Sequence, residues 1–134
     1  VRIASAEAVS AWLADNASLT ESLLTNLSLE NHGYSVEIVL RRITDRVGRL
    51  LEEESDVVIR LDAVEELSLL GSLNAVMVEN PDRINWGLSE VSTVTLAPEG
   101  NAYRLHIRWE DDRKIEVLSH RVSMEASDSG GDSK

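Results

Sequence analysis

The stretch Asp56 to Gly71, DVVIRLDAVEELSLLG, constrains this chain more than any other. Val57, Ile59 and Leu61 alternate with their neighbours, the pattern breaks at Ala63-Val64, and Leu67 and Leu69 resume it. Successive side chains leave a strand on opposite faces, so period-two alternation of aliphatic residues specifies a strand with one face buried. Two such runs predict two buried strand segments in the middle of an antiparallel sheet, joined at Ala63-Val64 by a turn or a bulge. A stretch of this kind is scaffold. Function is expected in what it holds apart: Thr44 to Ser55 before it and the segment around Trp86 after it.

The flanking sequence builds outward from that sheet. Ser5 to Asn16 reads as one short helix: Ser5 caps it, Glu7 lies in the first turn where the macrodipole favours an acid, and Val9, Trp12 and Leu13 recur at helical spacing. Trp12 is its expected anchor on the sheet. Ser18-Leu19-Thr20-Glu21 has capping-box spacing but is read as a loop, because Leu27 and Leu29 then alternate up to a turn at Asn31-His32-Gly33. Val36, Ile38 and Leu40 answer them in Ser35 to Ile43, completing a hairpin. Thr44 to Ser55 reads as a long loop, since the acids Glu52, Glu53 and Glu54 oppose the dipole at the end of any helix there. Val76 and Val78 tilt Ser72 to Glu79 toward strand, and Asn80-Pro81-Asp82 forces a turn. Ile84, Trp86 and Leu88 alternate, as do Val94 and Leu96, and Ala97 to Gly100 reads as a turn with Pro98 at its favoured second position. Tyr103, Leu105, Ile107 and Trp109 share a face of a final hairpin that turns through Asp111 to Lys114. On the return, Ile115 and Val117 are in one phase and Leu118, Val122 and Met124 in the other, which predicts a bulge near Val117-Leu118. The expected architecture is α+β, mostly β: one antiparallel sheet or sandwich of about seven to eight strands with one short N-terminal helix. Residues 1–126 form its single domain and the apolar-free residues 127–134 a disordered tail.

Charge and composition bound the partners. The 134 residues carry 13 basic and 24 acidic side chains, a formal charge of −11, which opposes nucleic acid and anionic membrane and speeds encounter with a basic partner. Arg41, Arg42, Arg46 and Arg49 form a local basic cluster, but without interleaved aromatics and next to Glu52 to Glu54, with which they are expected to pair. Cysteine is absent, so neither a disulfide nor a thiolate metal site is available. No apolar run approaches the ~20 residues of a membrane span, and a basic start followed by an apolar stretch is missing, so a cytoplasmic location is expected. With no phenylalanine, the core is left to Leu, Val and Ile around three tryptophans.

A catalytic set does not emerge. His32, His106 and His120 have no metal-binding spacing. His120 shares the phase of Leu118 and is expected as a hydrogen-bonded core histidine, with His106 on the opposite face, so the two do not share a metal. No serine lies in G-x-S-x-G and no glycine cluster forms a phosphate-cradling loop. Neither cofactor nor metal nor enzymatic activity is expected. The two N-x-S stretches, at Asn16 and Asn26, read as chance matches. Trp109 is assigned to the core, whereas Trp86 beside Gly87 is a candidate interface anchor.

Four stretches, LSLENHGYSVEIVL, VVIRLDAVEELSLLG, AVMVENP and YRLHIRWEDDRKIEVLSHRVSME, together resemble the small β-rich YxiG-like domains and related immunity-protein families of bacterial polymorphic toxin systems. The resemblance runs from about Leu24 to Met124 and rests on hydrophobic spacing. Where such domains often carry a His-Asp pair near the first strand, this chain reads SLTESLLTNLS. The resemblance implies a non-enzymatic, protein-binding role: neutralising a partner, a toxin domain. The acids Glu52, Glu53, Glu54, Asp111 and Asp112 would then steer a basic partner, with Trp86 as anchor, and a homodimer is compatible with the same scheme. The alternative expectation is a small apolar-ligand-binding β domain, with the sheet curved around a cavity.

Overall fold

A computed structural model describes residues 2–45, 52–71, 83–84, 91–111 and 113–126. In chain order the elements are β1 (Arg2–Ile3), α1 (Ala6–Asp15), β2 (Leu23–Glu30), β3 (Ser35–Asp45), β4 (Glu52–Leu70), β5 (Arg83–Ile84), β6 (Val91–Glu99), β7 (Ala102–Trp109) and β8 (Lys114–Ala126). The strands form one antiparallel sheet in the order β5-β2-β3-β4-β8-β7-β6, with β1 added to β8. Among the described residues the architecture is therefore mostly β with one α-helix, as expected. β4 lies at its middle, where Val57, Ile59 and Leu61 are fully buried between β3 and β8.

The sheet curls until its two ends meet. Glu21 N–H donates to the Val91 carbonyl and Val91 N–H to the Ser22 carbonyl, both at 2.8 Å. The start of β6, the last strand of the order, is thus tied to the residues that lead into β2 near the other end. Ser10 Oγ donates to the Leu96 carbonyl at 3.0 Å and Thr20 Oγ1 to that of Ser92 at 2.9 Å, so hydroxyls from α1 and the following turn occupy the outer edge of β6. Capping an edge in this way removes a template for unwanted strand pairing. Around the concave face, one continuous core joins Val9 and Leu13 of α1 to Leu27, Ile38, Ile59, Leu105 and Ile107. Trp109 is buried there as expected, while Trp12 is half-buried at the rim with the Arg42 guanidinium 5.1 Å from its ring centre.

α1 starts where its cap requires. Ser5 is extended and its hydroxyl accepts from Ala8 N–H at 3.2 Å. After it, Ala17, Ser18 and Leu19 form a left-handed single turn with φ of 56°, 52° and 53°, and Glu21 follows at 71°. Each non-glycine residue in that region costs about 1 kcal/mol. Burial of Leu19, worth about 2 kcal/mol, offsets part of the cost. The loop expected at Ser18 to Glu21 is this turn. The Asn31-His32-Gly33 turn joins β2 to β3 as expected, again left-handed.

Four expectations are corrected. Thr44 to Ser55 is not a loop at either end: Asp45, Thr44 and Ile43 of β3 pair with Glu52, Glu53 and Glu54 of β4. β-Branched Ile43 and Thr44 continue a ladder already set by Val36 to Arg42, and pairing outweighs the weak strand preference of glutamate. Pro98 is not in a turn but within β6, opposite Tyr103, where an edge strand tolerates its missing N–H; the turn is Gly100-Asn101, with Gly100 at φ +63°. Leu69 and Leu70 are not buried, with 41 and 50% of their surface exposed, and Leu29, at 53%, is not buried either. All three lie at strand ends, beyond the reach of the curled core. Finally, the bulge is real but its extra residue is on the partner strand. Val64 pairs with Ser119 and Glu66 with Leu118, leaving Glu65 unmatched, and Ala63 just before it has φ of 56°. On β8 the buried residues are Ile115, Val117, Leu118 and Ser119 and then Val122, Met124 and Ala126, with Leu118 opposite the bulge, so the phase changes across the exposed pair His120-Arg121. A bulge increases local twist. That twist lets β8 turn its other set of side chains inward without an insertion of its own.

Candidate functional site

Of the residues expected to bind a partner, Glu52 to Glu54 and Asp111 are not brought together. Glu52 to Glu54 open β4, and Leu70 at its far end pairs with Lys114 beside the Asp111 turn, so the two groups of acids lie at opposite ends of the longest strand. Glu52 to Glu54 are described as backbone alone, and Trp86 and Asp112 lie outside the described residues, as do the expected strand at Ser72 to Glu79, the turn at Asn80 to Asp82 and the tail. Asp111 is committed to the hairpin turn. It accepts from the Arg113 backbone N–H at 2.9 Å and from Arg113 Nε at 3.0 and 3.1 Å, and these bonds hold its carboxyl below the usual carboxylate range. Arg113 in turn stacks on Trp109, 5.5 Å from the ring centre.

Elsewhere on the outer face the acids are arranged in groups around single cations. Arg60 on β4 faces Glu30 of β2 at 2.7 Å, Asp62 at 3.3 Å and Glu37 of β3 at 4.0 Å. Arg104 on β7 bridges Glu99 of β6 at 2.8 Å, Glu116 of β8 at 3.1 Å and Glu66 of β4 at 3.4 Å. Its guanidinium holds the Glu99 carboxyl below the usual range. Lys114 reaches Glu116 at 3.6 Å and His106 the same carboxylate at 3.7 Å. Carboxylates outnumber Arg and Lys in both groups, three to one around Arg60 and three to two around Arg104 and Lys114, so these groups keep a negative field. Of the basic cluster, Arg41 Nε pairs with Asp56 at 3.1 Å, directly across from it on β4, and Arg42 Nη1 donates to Asn16 Oδ1 at 3.2 Å, while Arg46 and Arg49 lie outside the described residues.

Among these groups, an open cleft of about 310 Å³ lies between the first turn of α1 and the bulged region of the sheet. Ser5, Glu7, Asp62, Tyr103, His120 and Ser123 contribute to its wall. Tyr103 Oη donates to Glu7 Oε2 at 2.5 Å, a bond that lowers the Glu7 pKa and raises that of Tyr103. Ser35 Oγ donates to Asp62 Oδ1 at 2.6 Å, and Arg121 Nη2 donates to Tyr34 Oη at 2.9 Å. His120, expected in the core, is exposed, and its Nε2 contacts Glu65 Oε2, the unmatched residue of the bulge. The phase change one residue before Arg121 turns the imidazole out. Beyond the Glu7–Tyr103 bond a second depression of about 210 Å³ runs under α1, walled by Ser10, Leu96 and Pro98. Reading the sequence missed Glu7, Asp62, Glu65 and Tyr103 as a group. The one signal was the break at Ala63-Val64, since bulges re-aim side chains and favour functional rims.

Among the described residues no three His, Asp or Glu side chains are grouped to hold a metal ion, and no helix is long and apolar enough to cross a membrane. Comparison of the chain with known protein families, with curated proteins and with solved structures finds no match.

Proposed function

We propose that the protein is a non-enzymatic binding module that engages a basic protein partner, in the manner of the immunity proteins its sequence resembles, the partner being a toxin domain. The observation that carries the reading is the surplus of carboxylates on the convex face: Glu30, Glu37 and Asp62 around Arg60, and Glu66, Glu99 and Glu116 around Arg104. The chain's net charge of −11 steers a cationic partner, and the groups of acids held on the strands fix its orientation. Among the described residues the concave side is filled by Leu, Val and Ile, which favours recognition on the surface over an internal ligand cavity. The neighbouring acids Glu52 to Glu54 would extend the same field along β4.

The decisive experiment is co-expression with the product of the neighbouring gene, followed by association kinetics of the purified pair in 50 and 300 mM salt. A stable complex is expected, with an association rate that falls at least tenfold at the higher salt and falls again in the Glu30→Gln, Glu37→Gln double variant. No complex, or a complex indifferent to salt and to both substitutions, sinks the proposal.

A further inference from the structure

We infer that α1 is a hinged lid, which lifts from the sheet as a unit while the strands stay paired. Its attachment differs in kind from that of every strand. β3, β4, β8 and β7 are held by continuous ladders, whereas α1 is joined to the sheet by a two-residue β1 pairing before it and a single turn after it. Its polar ties are side-chain bonds: Tyr103 Oη to Glu7, Ser10 Oγ to the Leu96 carbonyl, and Arg42 Nη1 to Asn16. Depressions of about 310 and 210 Å³ flank the Glu7–Tyr103 bond and undercut the first half of the helix.

The turn after α1 supplies the bias toward opening. Holding the helix down requires Ala17, Ser18, Leu19 and Glu21 all at positive φ, between 52° and 71°, a region that L-residues leave when released. Burial of Ala6, Val9 and Leu13 opposes that bias and keeps the lid closed at rest. Lifting it uncovers the apolar faces of β6 and β8 that α1 packs against. Two opposed local terms of this kind, confined to one element with few ties, are what give a segment its own opening equilibrium.

Native-state hydrogen exchange of the full chain, read by NMR across a low-urea series, tests this. The amides of Val9 to Leu13 are expected to exchange through an opening that is more frequent and less urea-dependent than that of the β3, β4 and β8 amides. Ser18→Gly, which removes strain in the closed turn, slows the α1 amides about fivefold and raises global stability by the same factor. Ala17→Gly repeats the result at the neighbouring position, and Tyr103→Phe, which removes a latch broken in both the open and the unfolded state, speeds the α1 amides and lowers global stability by the same factor. If α1 amides exchange with the same free energy and urea slope as β4, the helix opens only when the domain unfolds and the lid is refuted. It is equally refuted if the glycine variants leave α1 exchange unchanged, because the turn then does not release when the helix moves.

Discussion

Truncating two aliphatic residues of the same strand measures where the core ends. Ile59 on β4 is fully buried between β3 and β8, and Leu69, ten residues along, has 41% of its surface exposed. Ile59→Ala removes three carbons, which at about 0.8 kcal/mol each is about 2.4 kcal/mol of transfer free energy. A strand held on both edges cannot collapse into the space, so a cavity term brings the loss to about 3–4 kcal/mol. Leu69→Ala removes a side chain already partly in water at a site open to solvent, so the cavity term vanishes and the loss is about 1 kcal/mol. Equilibrium urea unfolding followed by tryptophan fluorescence reads both. With a slope near 2 kcal/mol/M, the midpoint falls by roughly 1.5–2 M for Ile59→Ala and by about 0.5 M for Leu69→Ala. Equal losses at the two positions refute the reasoning, since the far half of β4 would then be as buried as the near half and the bulge would not divide it.

Removing a cation from a group of acids should be a salt-dependent loss. Arg60→Ala is expected to cost about 1 kcal/mol at low ionic strength, discounted because the side chain is 37% exposed, and markedly less at 0.5 M salt, whereas Glu37→Gln, whose oxygen is 4.0 Å away, is close to neutral; thermal melts in both salts decide it. Tyr103→Phe should return the Glu7 carboxyl toward its ordinary value of 4.5, followed by NMR titration. The sign for stability follows from the same bond. The lowered Glu7 pKa contributes stability above the ordinary carboxylate range that is lost as pH falls through the folded value, while the raised Tyr103 pKa contributes stability present below 10 and lost as pH climbs through the folded value, and Tyr103→Phe flattens both limbs.

The parts of the fold legible in the sequence were those with a strong local pattern facing one core. Val36, Ile38 and Leu40, Val57, Ile59 and Leu61, and Leu105, Ile107 and Trp109 each alternate, and every one of them is buried. The capped helix at Ser5 was legible for the same reason: cap, dipole and stripe agree. What failed were positions whose fate is decided by something distant. Leu69 alternates as well as Ile59 does, yet the sheet curls away from it, and curling depends on contacts such as Glu21–Val91 that no local window contains. Pro98 reads as a turn residue until the edge position of β6 is known. Glu52 to Glu54 oppose a helix dipole and so suggested a loop, but a ladder begun at Ser35 extends through them. Charge puts Glu52 and Asp111 in one class, and it does not say that one opens β4 while the other lies in the turn beside the far end of that strand.

The break at Ala63-Val64 shows how a single unmatched residue organises more than its own strand. Glu65 has no partner on β8, so β4 and β8 leave the bulge with their phases shifted relative to one another. The shift exposes His120 and Arg121 together, and they meet Glu65 and Tyr34 respectively, side chains from the bulge and from the β2–β3 turn. It also leaves Asp62, the last residue of β4 paired to β3, at the floor of the cleft beneath the first turn of α1. Without the extra residue the buried set of β8 would run unbroken from Ile115, and Val122, Met124 and Ala126 would face solvent while Arg121 turned into the core. A chain of this length cannot expose those three apolar residues and keep one continuous core. The bulge is therefore a condition of the fold first, and the polar cleft is its consequence: the same insertion that lets both halves of the longest hairpin face inward is what turns a histidine, an arginine and two carboxylates outward at one place.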